Sequence, residues 1–594
     1  MWIDDASMST KWSPLAPPST SQLVGWSKKK APKKKKNQQQ EQQQQQQQPR
    51  KEPKKESINR APPNSKKRNH PDASVDLTVP VVDVPLLTPP HDESVTTGAT
   101  IAWTGTEARL TWHDLKEQRM MCLIGRASVR LVKGRVQLLG HELSSTESRK
   151  VESPSWASAL TMIALEEHSE VSIVSTSVTG TKSFDLCPPS AQEVRPTILP
   201  PTWTIAIDHV LRDWFGKVEA NAIGDAKLLI CGAKGVGKST CVRYAINRAL
   251  ARTDSVMVLD CDAGQPEFSP PGLLTLTNVR EPVLSPPHLH MAETHAGAKF
   301  FGYTTSKADP TLYLEAISTL LQQYDDMVTT RHGGNGSLLP LIINTDGWVK
   351  GLGLEILTTL LSTLQPGHVI QILGEQRSKQ FDIRAPQIQQ QQCIIHKVRA
   401  YNVDSPEDLG TTLSIPSHSY RALRLCTYFL RDAICWDRIE FGQGGIIDEE
   451  NHIAHHLAAA KPIVVSMDAL HLLWKGECGL VDQNEGTMWN GAVVGLCKGI
   501  TGPCLGLGII RSVDYQKRLF YFLTPVPLND LATVDTIIGG GGIQLGRECY
   551  FRGVHSESFP YITCNGISAG IGGDVMKSRN NLTRKANQGN TTMC

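Results

Sequence analysis

A lysine followed by two hydroxyl residues, Lys238-Ser239-Thr240, closes a loop that holds Gly232, Gly235 and Gly237. Four apolar residues, Leu228 to Cys231, precede the loop, and a helix-compatible stretch through Tyr244 to about Leu250 follows it. Strand, glycine loop and helix in that order suit a phosphate ligand. Glycines let the backbone N–H groups along Gly232, Ala233, Lys234, Gly235, Val236 and Gly237 turn inward, and the helix N-terminus adds partial positive charge. Lys238 is placed to reach the β- and γ-phosphates of a nucleotide and Ser239 to ligate Mg²⁺, with the cradle running on to Thr240. A second reactive group, Asp260-Cys-Asp262-Ala-Gly-Gln265, ends another apolar run that starts at Ser255. An acid beside a phosphate loop can hold Mg²⁺, directly or through water, or accept a proton from a substrate hydroxyl. Acids at i and i+2 share one side of an extended chain, so Asp260 and Asp262 are both candidates.

These residues need a sheet to hold them. Strand, loop, helix and strand in sequence predict the start of a parallel α/β sheet, with ligands at the C-terminal strand ends. Residues 261–350 read as loops plus a third strand, Leu338 to Ile343, that runs into Asn344-Thr-Asp-Gly-Trp348. An apolar helix over 351–364, a strand at Val369–Ile372 and a helix at Tyr420–Phe429 follow, and Arg331 to Ser337 reads as a surface insertion. Ahead of the loop, Ile205, Val210, Leu211 and Trp214 form the apolar face of a loosely amphipathic helix. Short strands punctuated by Gly125, Gly134 and Gly140 predict a β-sandwich-like domain over 97–200. The expected architecture is therefore α/β: a P-loop domain over 203–400 with a segment near 415–432 beside it, a β domain before it and a small β-rich domain over 433–569. Residues 570–594 read as a loose tail.

The chain has 594 residues, enough for several domains, and 40% hydrophobic residues to fill their cores. No apolar run is long enough to span a bilayer, and Met1-Trp-Ile-Asp-Asp lacks the pattern of a secretory signal. Fourteen cysteines without a Cys-x-x-Cys pair predict reduced thiols in an intracellular protein. The net charge of +3 hides an asymmetry: Lys28 to Arg68 holds 15 Lys/Arg and 3 Asp/Glu, a balance of +12, which leaves −9 for the rest. Residues 1–90, with Lys28 to Lys36, a glutamine tract around Gln38–Gln48 and Lys66-Lys-Arg68, read as a disordered tail. Its basic clusters predict nuclear or nucleolar import.

The segment from Asp260 through Gln265-Pro-Glu-Phe-Ser-Pro-Pro-Gly272 resembles the acid motif of the polynucleotide 5′-hydroxyl kinases. It is most similar to the nucleolar branch that processes pre-ribosomal RNA, sister to the kinase subunit of the mRNA cleavage factor. The same resemblance covers Gly232–Ser239, Pro286-Pro-His-Leu-His290, Phe300-Phe-Gly302 with Asp309-Pro310, Asn344-Thr-Asp-Gly-Trp-Val-Lys-Gly-Leu-Gly353, and Gly506 to Arg511 with Leu523 to Val526. It implies a central kinase domain that uses ATP and Mg²⁺, with Lys238 on ATP, Ser239 and Asp260 on the metal, and Asp262 orienting or deprotonating an RNA 5′-hydroxyl, with Asp260 as its rival. Gln265 is implied in positioning, Thr345 and Trp348 in clasping the terminal nucleotide, and Arg421 or Arg424 as a lid arginine. An indole stacks on any base, so the clasp implied for Trp348 is sequence-tolerant. The lid match is poor, and Ala263 stands where this branch commonly has proline. Implied partners are the endonuclease that leaves a 5′-hydroxyl end at the internal transcribed spacer, and a 5′→3′ exonuclease that acts once the end carries phosphate.

Two functions compete. One is an ATP-dependent RNA 5′-hydroxyl kinase in pre-rRNA processing; the other is an ATP-binding scaffold of a nuclease complex with little kinase activity. Intact Lys238, Ser239 and Asp262 favour the enzyme, and the chain has no Asn-Lys-x-Asp element to read guanine as a switch GTPase does. Deleting residues 1–90 is expected to leave phosphoryl transfer in vitro nearly unchanged while the protein leaves the nucleolus. Fluorescence imaging of the truncated chain checks this, and a truncated protein still concentrated there places the address elsewhere.

Overall fold

The computed structural model describes residues 12–14, 94–96, 98–176, 181–191, 194–219, 226–332, 338–383, 393–400, 417–430, 440–442, 445–447, 456–457, 460–476, 479–482 and 487–545. Most of the basic tail, the segment 333–337 and everything after 545 lie outside the described residues. A seven-stranded sheet carries the site. Its strands are β1 (Lys227–Gly232), β2 (Val256–Asp260), β3 (Leu273–Val279), β4 (Gly297–Phe300), β5 (Leu341–Asn344), β6 (His368–Leu373) and β7 (Ile394–Arg399), in the spatial order β4-β3-β2-β5-β1-β6-β7. Leu228 to Ile230 are buried because helices cover both sheet faces, which explains why this strand is continuously apolar instead of alternating.

The sheet is mixed, where the sequence predicts a parallel one. β2, β5, β1, β6 and β7 run parallel, but β3 pairs antiparallel with β2, and β4 with β3. Both extra strands, and the long helix α3 (Pro310–His332), fall in the stretch 261–350 that reads as mostly loops. Threonines break the apolar run of β3, and its identity depends on the open edge of β2. In register, Ile230 pairs with Asn344, and Asn344 with Asp260. The C-terminal ends of three neighbouring strands are thereby level, and the loops that leave them meet.

Helix α1 (Pro201–Glu219) starts with proline at its first turn, where the missing N–H costs nothing. Trp203, Ala206, Ile207, Val210, Leu211 and Trp214 form its buried face. Ile205 does not belong to that face; it is 66% exposed, two positions from Trp203 and so turned away. The Trp203 indole donates to the Arg399 carbonyl at 2.8 Å, and a Cβ on Gly237 would come within 2.6 Å of its ring. Helices α2 (Lys238–Leu250) and α4 (Leu352–Leu364) complete the layers around the sheet.

Residues 94–187 form one connected ten-stranded antiparallel sheet. The connection is the 14-residue strand Met120–Lys133, which pairs with four others: Leu160–Ala164, Arg149–Ser153, Phe184–Cys187 and Glu170–Ser175. Asn247 of α2 joins this sheet to the site domain, donating to the Leu139 and Val283 carbonyls at 2.9 and 3.1 Å. A third sheet of eight strands takes seven from between Ile463 and Gly540 and its edge strand from Trp12–Pro14, antiparallel to Ile463–Val465. These three residues of the stretch 1–90 are thus ordered where the sequence reads as a disordered tail. Helix α5 (Ser417–Phe429) packs on that sheet through Leu423, Leu425 and Cys426, and its Tyr428 hydroxyl accepts from Leu507 N at 2.9 Å. Every described cysteine is a free thiol, and no described helix is long and apolar enough to cross a membrane.

Trp203→Ala deletes a fully buried indole between α1, β7 and the glycine loop. It is expected to cost about 3–5 kcal/mol of unfolding free energy, read from urea melts. A cost under about 1 kcal/mol contradicts that packing.

Candidate active site

The glycine loop is tight at both ends. Gly235 and Gly237 have φ of 77° and 96°, the left-handed region that glycine enters without penalty. A Cβ on Gly232 would lie 2.7 Å from Val236 and 2.9 Å from the Ile372 carbonyl oxygen. Lys238 is 8% exposed, and its Nζ donates to the Gly232 and Ala233 carbonyls at 3.0 and 3.3 Å. Burial lowers its pKa, while the charges of Asp262 and Asp346 oppose that and favour the ammonium. Ser239 and Thr240, half-buried, follow on the first turn of α2, and Lys234 is exposed on the loop.

The two acids of the second motif do different things. Asp260 has no exposed surface; Oδ1 accepts from Asp262 N at 3.1 Å and Asn344 Nδ2 at 3.0 Å, and Oδ2 accepts from Glu267 N. Burial pushes its pKa up to about 7, against the pull of its backbone donors. Asp262 is half-buried at the mouth of the loop, and its Oδ1 accepts from Gly264 N and Gln265 N at 3.1 and 3.0 Å. Gln265 is half-buried beside it.

The Thr-Asp-Gly-Trp turn leaves β5 against the glycine loop. A Cβ on Gly347 would come within 2.9 Å of the backbone of Lys234. Thr345 is buried, and its hydroxyl donates to the Ile230 carbonyl at 3.0 Å, tying β5 to β1. Trp348 is half-buried on the rim of the core, with its indole against Gly353. Asp346 went unremarked in the sequence. Its carboxylate accepts from the Ser306 hydroxyl and from Trp348 N at 3.1 Å, and burial followed by the neighbouring Asp262 charge raises its pKa. An acid inside a turn that follows a strand adjacent to the glycine loop was the available signal.

The structure separates the two arginines of α5. Arg424 is buried and donates through Nη2 to the Glu267 and Ser269 carbonyls at 3.3 and 2.5 Å, so its guanidinium is fastened to the turn after Asp260. Burial lowers its pKa to about 10. Arg421 is half-buried and close enough to Asp262 for that charge to offset part of its burial. Lys234 Nζ donates to the Ser417 hydroxyl at the start of α5. A further group escaped the sequence reading: Glu267, which has no exposed surface, lies 3.3 Å from Arg243 Nε and 3.1 Å from His290 Nε2.

A buried lysine on a glycine loop, two carboxylates whose charges reach it and an arginine from a separate helix can bind and polarise a transferring phosphoryl group. Residues 232–430 match the family described as mRNA cleavage and polyadenylation factor CLP1 P-loop, and residues 458–545 match NOL9-like, C-terminal domain. The polynucleotide 5′-hydroxyl-kinase NOL9 of Arabidopsis thaliana is 30% identical over 367 residues, covering 59% of this chain and 94% of that one. The Homo sapiens protein of the same name is 27% identical over 382 residues, covering 57% and 52%. The polynucleotide 5′-hydroxyl-kinase grc3 of Emericella nidulans is 36% identical over 198 residues, covering 31% and 22%. The chain thus spans most of the plant relative, about half of the human one and less of the fungal one. A solved structure of wild-type Clp1p with Pcf11p (454–563) covers 74% of this chain and 98% of its own, with a TM-score of 0.49 at 16% identity.

Asp260 gives this site a pH signature. Its folded pKa, about 7, lies above the unfolded value, so its contribution to stability is full below about pH 4 and is lost as pH rises through 7. Relative to Asp260→Asn, which cannot titrate, the wild-type chain is expected to lose stability over that window, at up to about 1.4 kcal/mol per pH unit. Denaturant melts at a series of pH values check this; parallel profiles for the two chains refute it.

Proposed function

This chain belongs to the polynucleotide 5′-hydroxyl-kinase family, and from that premise we propose that it moves the γ-phosphoryl group of ATP onto the 5′-hydroxyl of RNA. The observation that carries the reading is the meeting of Lys238, Asp262 and Asp346 at the level ends of β1, β2 and β5. Lys238 neutralises the β- and γ-phosphates, assisted by the backbone N–H groups of the loop. Asp262 is the acid that can orient the 5′-hydroxyl and take its proton: it is half-buried at the mouth, and two N–H bonds fix its orientation. Arg421, on the lid side of Asp262, supplies positive charge to the phosphoryl oxygens as they separate from ADP.

The oxygen-rich donors at the mouth fit Mg²⁺, which favours hard oxygen ligands and keeps several waters. Ser239 and Asp346 would hold it, and the ion would neutralise charge on the β- and γ-phosphates. Asp260 is a poorer ligand than the half-buried Asp346, because it has no exposed surface and already accepts from three donors, Asp262, Glu267 and Asn344. Thr345 likewise acts as a tie between strands, which leaves Trp348 and Gln265 to meet the terminal nucleotide. The basic clusters of the tail support action in the nucleolus on pre-ribosomal RNA, beside an endonuclease that generates 5′-hydroxyl ends and ahead of a 5′→3′ exonuclease.

The test uses γ-labelled ATP with 5′-hydroxyl RNA and DNA oligonucleotides, in the presence and absence of the nuclease. Lys238→Ala is expected to lose at least about a hundredfold in transfer. Trp348→Ala is expected to weaken RNA-dependent transfer by one stack, about 1–3 kcal/mol, with little change in ATP affinity, and Trp348→Phe to recover much of it. Wild-type labelling by Lys238→Ala refutes the nucleotide site. A fall in melting temperature, ATP affinity and transfer together in Trp348→Ala assigns the indole to the core instead.

A further inference from the structure

Residue 267 meets several parts of the site at once. Its N–H donates to Asp260, and its carbonyl accepts from Arg424 Nη2 at 3.3 Å. Its carboxylate stands between Arg243 Nε at 3.3 Å and His290 Nε2 at 3.1 Å. Arg243 lies in the second turn of α2, the helix that Lys238 opens; Arg424 lies one turn beyond Arg421 on α5. We propose that Glu267 is a positioning residue for phosphoryl transfer, whose carboxylate and two backbone groups hold the phosphate-loop helix, the acid turn and the lid helix in one mutual geometry. This rests on the transfer reading above. It assigns no contact with substrate to Glu267, which acts through Asp260 and, by way of Arg424, through Arg421.

A buried carboxylate needs compensation, and here it is electrostatic. Burial would raise the pKa of Glu267, but Arg243, His290 and Arg424 outweigh it and hold the group below its ordinary value. Neither carboxylate oxygen and neither ring nitrogen of His290 makes an aligned hydrogen bond among the described residues. Coulomb attraction in a water-poor interior is strong and less directional than a hydrogen bond. It can keep hold of α5 through small displacements that would break an aligned bond. A surface ion pair cannot do this, since water screens it.

The test compares Glu267→Gln, Arg424→Met and the double variant in the full chain, by steady-state transfer and by amide hydrogen exchange. Each single variant is expected to lower kcat by about a hundredfold, as a displaced catalytic group does, with KM for ATP changed less than about threefold. The double variant is expected to lose no more than either single one, because the pair acts as a unit. Exchange across 417–430 is expected to rise in Glu267→Gln while that of 201–216 is unchanged. If Glu267→Gln does not unfold cooperatively, Glu267→Asp, which keeps the charge and withdraws it by one methylene, carries the same comparison. Wild-type kcat in the folded variant, or losses that add in the double variant, overturn the inference. If the wild-type chain itself transfers no phosphate to any 5′-hydroxyl end, the functional reading fails instead. Exchange then decides the coupling alone, and unchanged protection of α5 overturns it.

Discussion

A carboxylate without exposed surface, Asp260, sits at the end of β2, and donors from three residues reach it. Removing such a group from water is tolerable only when its lone pairs are met. That requirement shapes the surrounding chain. The backbone after Asp260 has to double back until the N–H groups of Asp262 and Glu267 face the strand end. Asn344 supplies its amide because the parallel register sets it beside Asp260. The reversal carries the Asp262 side chain out to the mouth of the glycine loop, where its own carboxylate caps Gly264 and Gln265. One acid builds the turn, and its neighbour two residues on is presented by it.

Charge balance extends outward from there. Lys238 is buried, which lowers its pKa, and the charges of Asp262 and Asp346 oppose that shift. Arg424 fastens α5 to the Glu267 and Ser269 carbonyls, while the apolar side of the same helix packs on the C-terminal sheet. That sheet grips the far edge of the central one by a second buried cation. Lys475 donates to the Phe300 and Phe301 carbonyls, and its ammonium lies 5.1 Å from the Phe300 ring centroid. Burial lowers its pKa to about 8. The helix that bears Arg421 and Arg424 is therefore held from both sides, by a guanidinium within the site and by apolar packing outside it.

The phosphate loop was legible because its requirements are local. Gly235 and Gly237 must take positive φ, Lys238 must follow, and an apolar strand must precede, and each of these is written within a dozen residues. Strands β1, β2 and β5 and helices α2, α4 and α5 were legible for the same reason, since a buried parallel strand is a continuous apolar run and a helix repeats its apolar face. β3 and β4 were not, because antiparallel addition to a sheet edge depends on which edge is open; α3 does repeat a buried face, through Tyr313, Ile317, Leu320 and Tyr324, so its signal was local. Ile205 illustrates the same gap within one helix: an apolar residue in an amphipathic stretch ended in solvent, because the neighbouring elements took the face of Trp203 and Val210.

Within the site, the residue types were determined by the sequence and their roles by tertiary placement. Two short segments, Leu228 to Thr240 and Ser255 to Gln265, suffice to mark a lysine, a hydroxyl and two acids as candidates for phosphate chemistry. They do not say which acid is buried, because desolvation depends on side chains from β5 and from the turn ending at Glu267. Nor do they distinguish Arg421 from Arg424, three positions apart on one helix, since which of them meets Asp262 and which meets backbone carbonyls follows from how α5 docks. Asp346 and Glu267 gained a place in the site by the same route, through contacts with residues 40 and 24 positions away in the chain. Backbone conformation is specified by neighbours in sequence. Burial and electrostatic environment, which decide what a charged group can do, are specified by neighbours in space.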